Sequence, residues 1–323
     1  MNHPISAARP KVSVCMITYN HEKFIVQAIE SVLQQDAEFS IELVIGDDAS
    51  KDGTPALLAA LQAAHPERIK LRLNTSNMGM MGNLQATLGE CEGQYIAMLE
   101  GDDYWSDPGK LRKQIALMDA TPTAALSFHP VQIHENGGFV PDRFTREVPA
   151  VTTIRDLAHG NYMHTCSVVY RAGLFAKYPE SFATSTVGDY FMHMLHARHG
   201  DILKLPETMA VYRVHSGGVW SSHKGIEKKV LQYLECMIGN FDEEIDRILI
   251  ERHASIAVRV LFEEIGSADD AASAANLARC LKYHPQALLT RLRAVSAENT
   301  RLSRGGLRSA ASGLKRVLLG TKK

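Results

Sequence analysis

Adjacent carboxylates placed directly after an apolar run are the residues of this sequence best suited to chemistry. Glu100-Gly-Asp-Asp103 follows Tyr95 to Leu99 without a spacer. Like charges this close disfavour each other's ionisation unless a cation or water compensates them. Asp102 and Asp103 therefore suggest a hard divalent ion, Mg2+ or Mn2+, which takes one or two carboxylates and fills its shell with water and a diphosphate. The competing reading is a solvated turn, with Asp107-Pro108 capping the helix that follows. The ligand spacing of an EF-hand is missing. A second acidic pair, Asp47-Asp48, closes the run Ile41 to Ile45 and leads into Ala-Ser-Lys-Asp-Gly53. A carboxylate here can accept the N–H of a uracil or thymine ring, or a ribose hydroxyl. Asp and Ser also make turns and helix caps, so this pair is open between the two roles.

The elements that would position these residues can be read from hydrophobic spacing. Val12 to Ile17 is nearly continuous and apolar, as in a parallel strand buried on both faces, and it ends in the polar Thr18-Tyr19-Asn20. Phe24, Ile25, Ala28, Ile29, Val32 and Leu33 share one helical face. Ile41 to Ile45, Ile69 to Leu73 and Tyr95 to Leu99 read as further strands, with helices marked by Leu57, Leu58 and Leu61 and by Leu84 and Leu88. This alternation implies βαβ units in a mostly parallel sheet, whose ligands bind beyond the carboxyl ends of the strands. Three polar clusters lie at three such ends. No Walker A sequence or G-x-G-x-x-G opens any of the helices. From Ala124 onward the spacing gives isolated strands (Ala124 to Ile133, Ser167 to Arg171, Met209 to Val214) and, past Gly225, helices. Ser216 to His223 reads as a mobile loop between the two patterns.

Taken in order, these segments resemble family 2 glycosyltransferases of the GT-A fold. The resemblance is carried by Val12 to Asn20, Glu42 to Thr54, Asn77-Met-Gly79 and Tyr95 to Trp105. It continues through Asp107-Pro108, Lys110-Leu111, Gln114, Gly188-Asp189 and Val211 to Gly218. It covers about Lys11 to His223 and implies an inverting enzyme that uses a nucleotide-diphosphate sugar, expected to be UDP-linked. By resemblance, Tyr19 and Asp48 hold the nucleobase, with Thr18 and Asn20 shaping its pocket. Asp102 and Asp103 contact the ribose and the metal-bound diphosphate, and Asp189 is the general base. Tyr212, Arg213 and His215 belong to a loop over the diphosphate; a guanidinium's planar fork suits a phosphate. Many members have Asp where this sequence has Glu100, so which carboxylates ligate the ion stays open. The resemblance implies a glycan or lipid-linked acceptor from bacterial surface-polysaccharide, lipopolysaccharide or glycolipid synthesis. A nucleotidyltransferase and a non-catalytic nucleotide-sugar binding module are the rival readings.

Domain 1–224 is thus expected to be the α/β, GT-A catalytic part and 225–323 a helical C-terminal region. The net charge of −1 supplies no field that would recruit nucleic acid. Five scattered cysteines without C-x-x-C argue against a disulfide framework and fit a reducing cytoplasm. No apolar leader or run of about 18 apolar residues is visible. Arg301 to Lys323 is basic and free of acid, and Leu307, Leu314, Val317 and Leu318 recur at roughly helical spacing. Such a helix can rest on anionic lipid, or dock on its own domain or on a second subunit of a homo-oligomer. His193, His196 and His199 recur every three residues, which places them on a half-exposed helix face more readily than around zinc. By the same resemblance His164 falls in the acceptor-side region, where lining the pocket and a structural polar role are both open.

Overall fold

A computed structural model describes residues 9–216, 226–267, 270–286, 288–290 and 292–293 of the chain. The loop Gly217 to His223 and the basic stretch Arg301 to Lys323 lie outside these residues. Contacts divide the chain into two compact units, Met1–His223 and Lys224–Lys323.

The first unit begins with β1 (Val12–Thr18), α1 (Ile25–Leu33), β2 (Ile41–Asp47), α2 (Thr54–Ala64), β3 (Ile69–Leu73), α3 (Gly79–Leu88) and β4 (Tyr95–Glu100). It continues with β5 (Tyr104–Trp105), α4 (Lys110–Ala120), β6 (Ala124–Phe128), β7 (Val131–Glu135), β8 (Gly138–Val140), β9 (Val151–Thr152) and α5 (Ile154–Ala158). After a 3-10 turn at Thr165–Ser167 come β10 (Val169–Arg171), α6 (Glu180–Ala183), α7 (Gly188–Ala197), β11 (Asp201–Lys204) and β12 (Ala210–Val214). Eight strands form one sheet in the order β3-β2-β1-β4-β10-β6-β11-β9. Strands β3, β2, β1 and β4 are parallel, whereas β10 runs against both of its neighbours. A second sheet has the order β5-β12-β7-β8.

Side chains of a strand alternate between faces, and the core follows that alternation. Val12, Val14 and Met16 of β1 and Leu43 and Ile45 of β2 pack with α1, Leu58 of α2, and Leu111, Ile115 and Met118 of α4. The opposite face of β2 receives α3. There Asn83 Nδ2 donates to the Gly46 carbonyl at 2.8 Å, and a Cβ on Gly46 would lie 2.0 Å from Thr87 Oγ1. Glycine at this position lets the helix close onto the strand just before Asp47 and Asp48.

The run Ala124 to Ile133, expected as one strand, is two. His129-Pro130 interrupts it, and β6 and β7 enter different sheets. Proline lacks the N–H that a continuing ladder needs.

The second unit contains α8 (Ile226–Met237), α9 (Glu243–Ser267) and α10 (Asp270–Tyr283). They pack through Leu231, Ala257, Leu261, Leu277 and Cys280. A polar knot lies among them: buried His253 meets His284 at 2.8 Å and Glu235 at 3.0 Å, and Arg279 also reaches Glu235. Among the described residues no helix is long and apolar enough to cross a membrane.

The contact at Gly46 sets a stability expectation. Gly46→Ala should destabilise the chain by about 1–3 kcal/mol through overpacking against Thr87 and Asn83. Gly138→Ala, which meets nothing within 4 Å, should be neutral to within about 0.5 kcal/mol. Urea unfolding of the two variants checks this, with a lower midpoint and unchanged slope expected for the first alone.

Candidate active site

Three strand ends are brought level by register. Thr18 of β1 stands opposite Asp47 of β2, and Ile17 opposite Glu100 of β4. The chain leaves β1 through Asn20, whose φ of 57° is in the left-handed region that Asn tolerates. The Asn20 N–H donates to Ser50 Oγ at 2.8 Å, and its side-chain oxygen accepts from the Lys51 N–H at 2.8 Å. Asn20 thereby ties the β1 exit to the loop after β2. Asp47 serves the same loop, accepting from the Ser50 N–H at 3.0 Å.

Asp48 points elsewhere. Its Oδ1 accepts from the Met78 N–H at 2.7 Å and from Asn74 Nδ2 at 3.3 Å, and Asn77 Nδ2 donates to its carbonyl at 3.1 Å. Oδ2 keeps no partner among the described residues. Thr18 is buried with Oγ1 unpartnered, while Tyr19 is well exposed beside them. Sequence reasoning assigned no task to Asn74 or Asn77, although the segment Asn77-Met-Gly79 was visible as a motif.

Beyond β4 the chain turns tightly, the Asp103 N–H donating to the Glu100 carbonyl at 3.1 Å. The next residues, Tyr104 and Trp105, pair as β5 with Val211 and Ala210 of β12. This pairing delivers Tyr212, Arg213 and His215 to the carboxylates, 110 positions later in the sequence. The Arg213 N–H donates to Asp103 Oδ1 at 2.7 Å, and Nη1 donates to the Asp102 carbonyl at 2.5 Å. Its other guanidinium nitrogen is held by Gln27, and the Tyr104 ring lies 4.5 Å from the guanidinium. The side chain expected at a phosphate is thus committed to clamping the turn that carries the acids. His215 Nε2 meets Asp102 Oδ2 at 3.0 Å, and His21 Nε2 lies 3.7 Å from the same oxygen.

Asp189 stands in the first turn of α7 and accepts from Thr165 Oγ1 at 3.3 Å. The Thr165 side chain also favours the ionised form of Glu100. Thr165 therefore lies between Asp189 and Glu100, a placement that no local pattern disclosed.

These acids do not share one electrostatic fate. Burial raises the Glu100 carboxyl to about 8, with repulsion from Asp102 and Asp189 adding to it. Asp103 is also raised, first by burial and then by Asp102 and Glu100. Burial pushes Asp102 up too, but the hydrogen bond from His215 and the charges of His21 and His215 outweigh it and leave this carboxyl below its usual value. Burial raises Asp189 even though it sits at a helix start, where the dipole favours the anion. Desolvation wins over the dipole here.

The donor set fits a hard cation in part. Glu100 Oε2 and Asp103 Oδ2 are buried without a hydrogen-bond partner. Buried carboxylate oxygens of this kind are costly unless a cation faces them. Among the described residues no three His, Cys, Asp or Glu side chains converge on one point. An ion held by one or two carboxylates and by phosphates of its substrate would need no such all-protein cage.

Below the turn, the Cys166 thiol lies beside Asp103. Lys110 Nζ is fully buried without a hydrogen-bond partner, 4.1 Å from the Trp105 ring, and burial lowers it to about 7. The α7 histidines are not half-exposed as expected. His193 and His196 are buried against Tyr170, whose hydroxyl meets His193 Nδ1 at 2.5 Å. Burial holds them at about 3 and about 4, so both are neutral packing groups. His164 pairs with Asp142 at 3.0 Å.

The family model for glycosyl transferase family 2 matches residues 13–179. The chain belongs to that family. An uncharacterized protein of Mycobacterium tuberculosis, Rv1520, is 38% identical over 216 residues, 65% of this chain and 61% of the relative. The succinoglycan biosynthesis protein ExoO of Rhizobium meliloti is 38% identical over 120 residues, 37% of this chain and 33% of the relative. The chain spans about three-fifths of the length of the first curated relatives it matches (61%). Among solved structures, TarS 1–349 of S. aureus in complex with UDP-GlcNAc aligns with a TM-score of 0.61 at 21% identity, covering 83% of this chain and 79% of TarS 1–349. The mannosyltransferase PcManGT of Pyrobaculum calidifontis, in complex with GDP-Man and Mn2+, aligns at 0.59 and 19% identity over 98% and 89% of the two chains. These likenesses give the family member the GT-A fold.

The raised Glu100 carboxyl makes a signed expectation. A carboxyl whose folded pKa lies above its unfolded value favours folding below about pH 4.5, and that contribution is lost as pH rises toward about 8. Glu100→Gln should therefore raise the melting temperature of the metal-free protein more at pH 8.5 than at pH 5. Added Mn2+ should shrink the difference from the parent chain. Thermal melts at both pH values, with and without the ion, check it.

Proposed function

We propose that the chain transfers a sugar from a nucleoside-diphosphate donor, UDP-linked by preference, to a hydroxyl of a glycan or lipid-linked acceptor, with inversion. One observation carries the reading. Glu100, Asp102 and Asp103 cluster at the carboxyl end of a parallel strand with Glu100 Oε2 and Asp103 Oδ2 uncompensated, and Asp189, bonded to Thr165, is near enough to raise Glu100. Membership of the family and the nucleotide-sugar complexes of the fold neighbours support it. Catalysis is assigned to 1–224, the region 225–323 being a helical appendage.

In this reading Asp48 Oδ2, exposed Tyr19, Thr18 and Asn20 take the base and ribose end of the donor. Asp102 and Asp103 would hold a divalent cation, Mn2+ or Mg2+, which when bound stabilises negative charge on the leaving diphosphate. The half-buried Asp102 is kept anionic by His215 and His21, so it is ready as a ligand. Arg213 fixes the turn through the Asp102 carbonyl and the Asp103 carboxylate, and His215 shares the diphosphate side. Asp189 accepts the proton of the acceptor hydroxyl, which is a weak nucleophile at neutral pH. Its raised pKa brings it closer to the pH at which a base both stays ionised and pulls a proton. The setting is synthesis of a bacterial surface glycan, at the cytoplasmic side of a membrane.

Nucleotides and nucleotide sugars that bind the native chain should raise its melting temperature, and the rise should require Mn2+ or Mg2+. Asp189→Asn should keep that rise while transfer falls by roughly a hundredfold or more. Near-normal transfer by Asp189→Asn would take the base role away from this residue. Metal-independent transfer would remove the cation from the mechanism.

A further inference from the structure

Beside Thr165, the partner of Asp189, the chain gathers three aromatic rings. Tyr212 and His164 lie 4.8 Å apart, and the Phe144 ring is 6.0 Å from Tyr212 and 6.1 Å from His164. Tyr212 directly precedes Arg213, whose N–H bonds Asp103, which puts it beside the carboxylate cluster. His164 directly precedes Thr165, the residue bonded to Asp189.

Phe144 is 38% exposed, yet it is firmly placed. Asp142 Oδ1 accepts from the Phe144 N–H at 2.8 Å, and Oδ2 accepts from Thr145 Oγ1 at 2.6 Å and meets His164 Nε2 at 3.0 Å. One carboxylate thus forms the turn that displays the ring and fastens that turn to the site. Arg143, held by two 2.8 Å bonds to Glu135, lies 4.7 Å from the Phe144 ring. The interplanar angles of 69° and 89° show that neither Tyr212 nor His164 lies flat on it. Tyr212 and His164 meet the ring edge-on and Arg143 lies over it, so the ring is held in place while part of it stays open to a ligand.

We propose that Phe144, with Tyr212 and His164, is a platform for the pyranose ring of a carbohydrate acceptor. A sugar offers an apolar C–H face and a polar rim, which match an aromatic ring bordered by Asp142, Arg143 and Thr145. An acyl chain would need a continuous apolar track, which this polar border interrupts. The inference rests on the transferase reading and names the acceptor class for the Asp189 side of that site. Phe144 sets acceptor affinity and takes no part in binding the donor.

Saturation-transfer NMR on the full chain with UDP and Mn2+ tests it. Methyl glycosides of glucose, galactose, mannose and N-acetylglucosamine serve as probes, and 1-octanol as the non-carbohydrate control. At least one glycoside should receive saturation from the parent chain. Its dissociation constant should rise about tenfold or more in Phe144→Ala, the scale of losing one well-placed aromatic contact, and return in Phe144→Trp. Equal signals from the parent and Phe144→Ala, saturation of octanol alone, or no saturation of any glycoside would overturn the proposal. The nucleotide-driven rise in melting temperature, measured on the same samples, reports the donor site separately. Its absence from the parent chain would count against the transferase reading, whatever the glycosides show.

Discussion

Carboxylates held close together in a poorly hydrated place repel each other and resist ionisation, and the first unit is organised around that cost. Glu100, Asp102 and Asp103 fall within one turn at the end of a buried strand, and Asp189 is brought opposite them. A solvated loop would relieve the repulsion by letting the side chains spread. Here they cannot spread, because the turn is fixed on both sides. Its start is locked into β4 between β1 and β10, and its exit, β5, is zipped to β12. Desolvation raises three of the four acids, and the fourth stays low because two histidines lean on it. A divalent cation is the partner for which such an arrangement is physically reasonable.

The other residues of the site divide into those that hold the acids and those left free to meet a ligand. Arg213 is the clearest holder: its backbone and guanidinium are used on Asp103, Asp102 and Gln27. Trp105 connects the same turn to the layer beneath, its indole N–H donating to the Cys166 carbonyl at 2.8 Å while Lys110 sits against its ring. Asn74 and the Met78 N–H hold one oxygen of Asp48 and leave the other open. Asp103 shows the division within one side chain, with Oδ1 held by the Arg213 N–H and Oδ2 left open.

The sequence by itself determined the strand ends and the acids that ride on them. Val12 to Thr18, Ile41 to Asp47 and Tyr95 to Glu100 are short apolar runs stopped by polar residues, and a run of that kind has few options besides a buried parallel strand. Family membership was legible for the same reason, since the motifs sit where local backbone chemistry requires particular residues, as at Asn20 and Gly46. Helices α8 and α9 of the second unit were likewise readable from spacing, whereas α10 was not picked out.

What only the tertiary structure decided are the pairings across sequence distance. Thr165 bonding Asp189, Arg213 clamping a turn 110 residues upstream, and Asp142 fastening Phe144 to His164 depend on β5 meeting β12 and on the path of the 3-10 turn. Local periodicity carries no term for such contacts. It also misplaced burial on α7, because His193 and His196 look polar by residue type and are sheltered by Tyr170 of β10 and, at His196, by Phe175. The split of Ala124 to Ile133 at Pro130 belongs to the same class: an apolar run shows that a segment is buried, but not in which sheet. Hydrophobicity is a property of single residues, whereas desolvation, hydrogen-bond partners and sheet membership belong to neighbours that only the folded chain supplies.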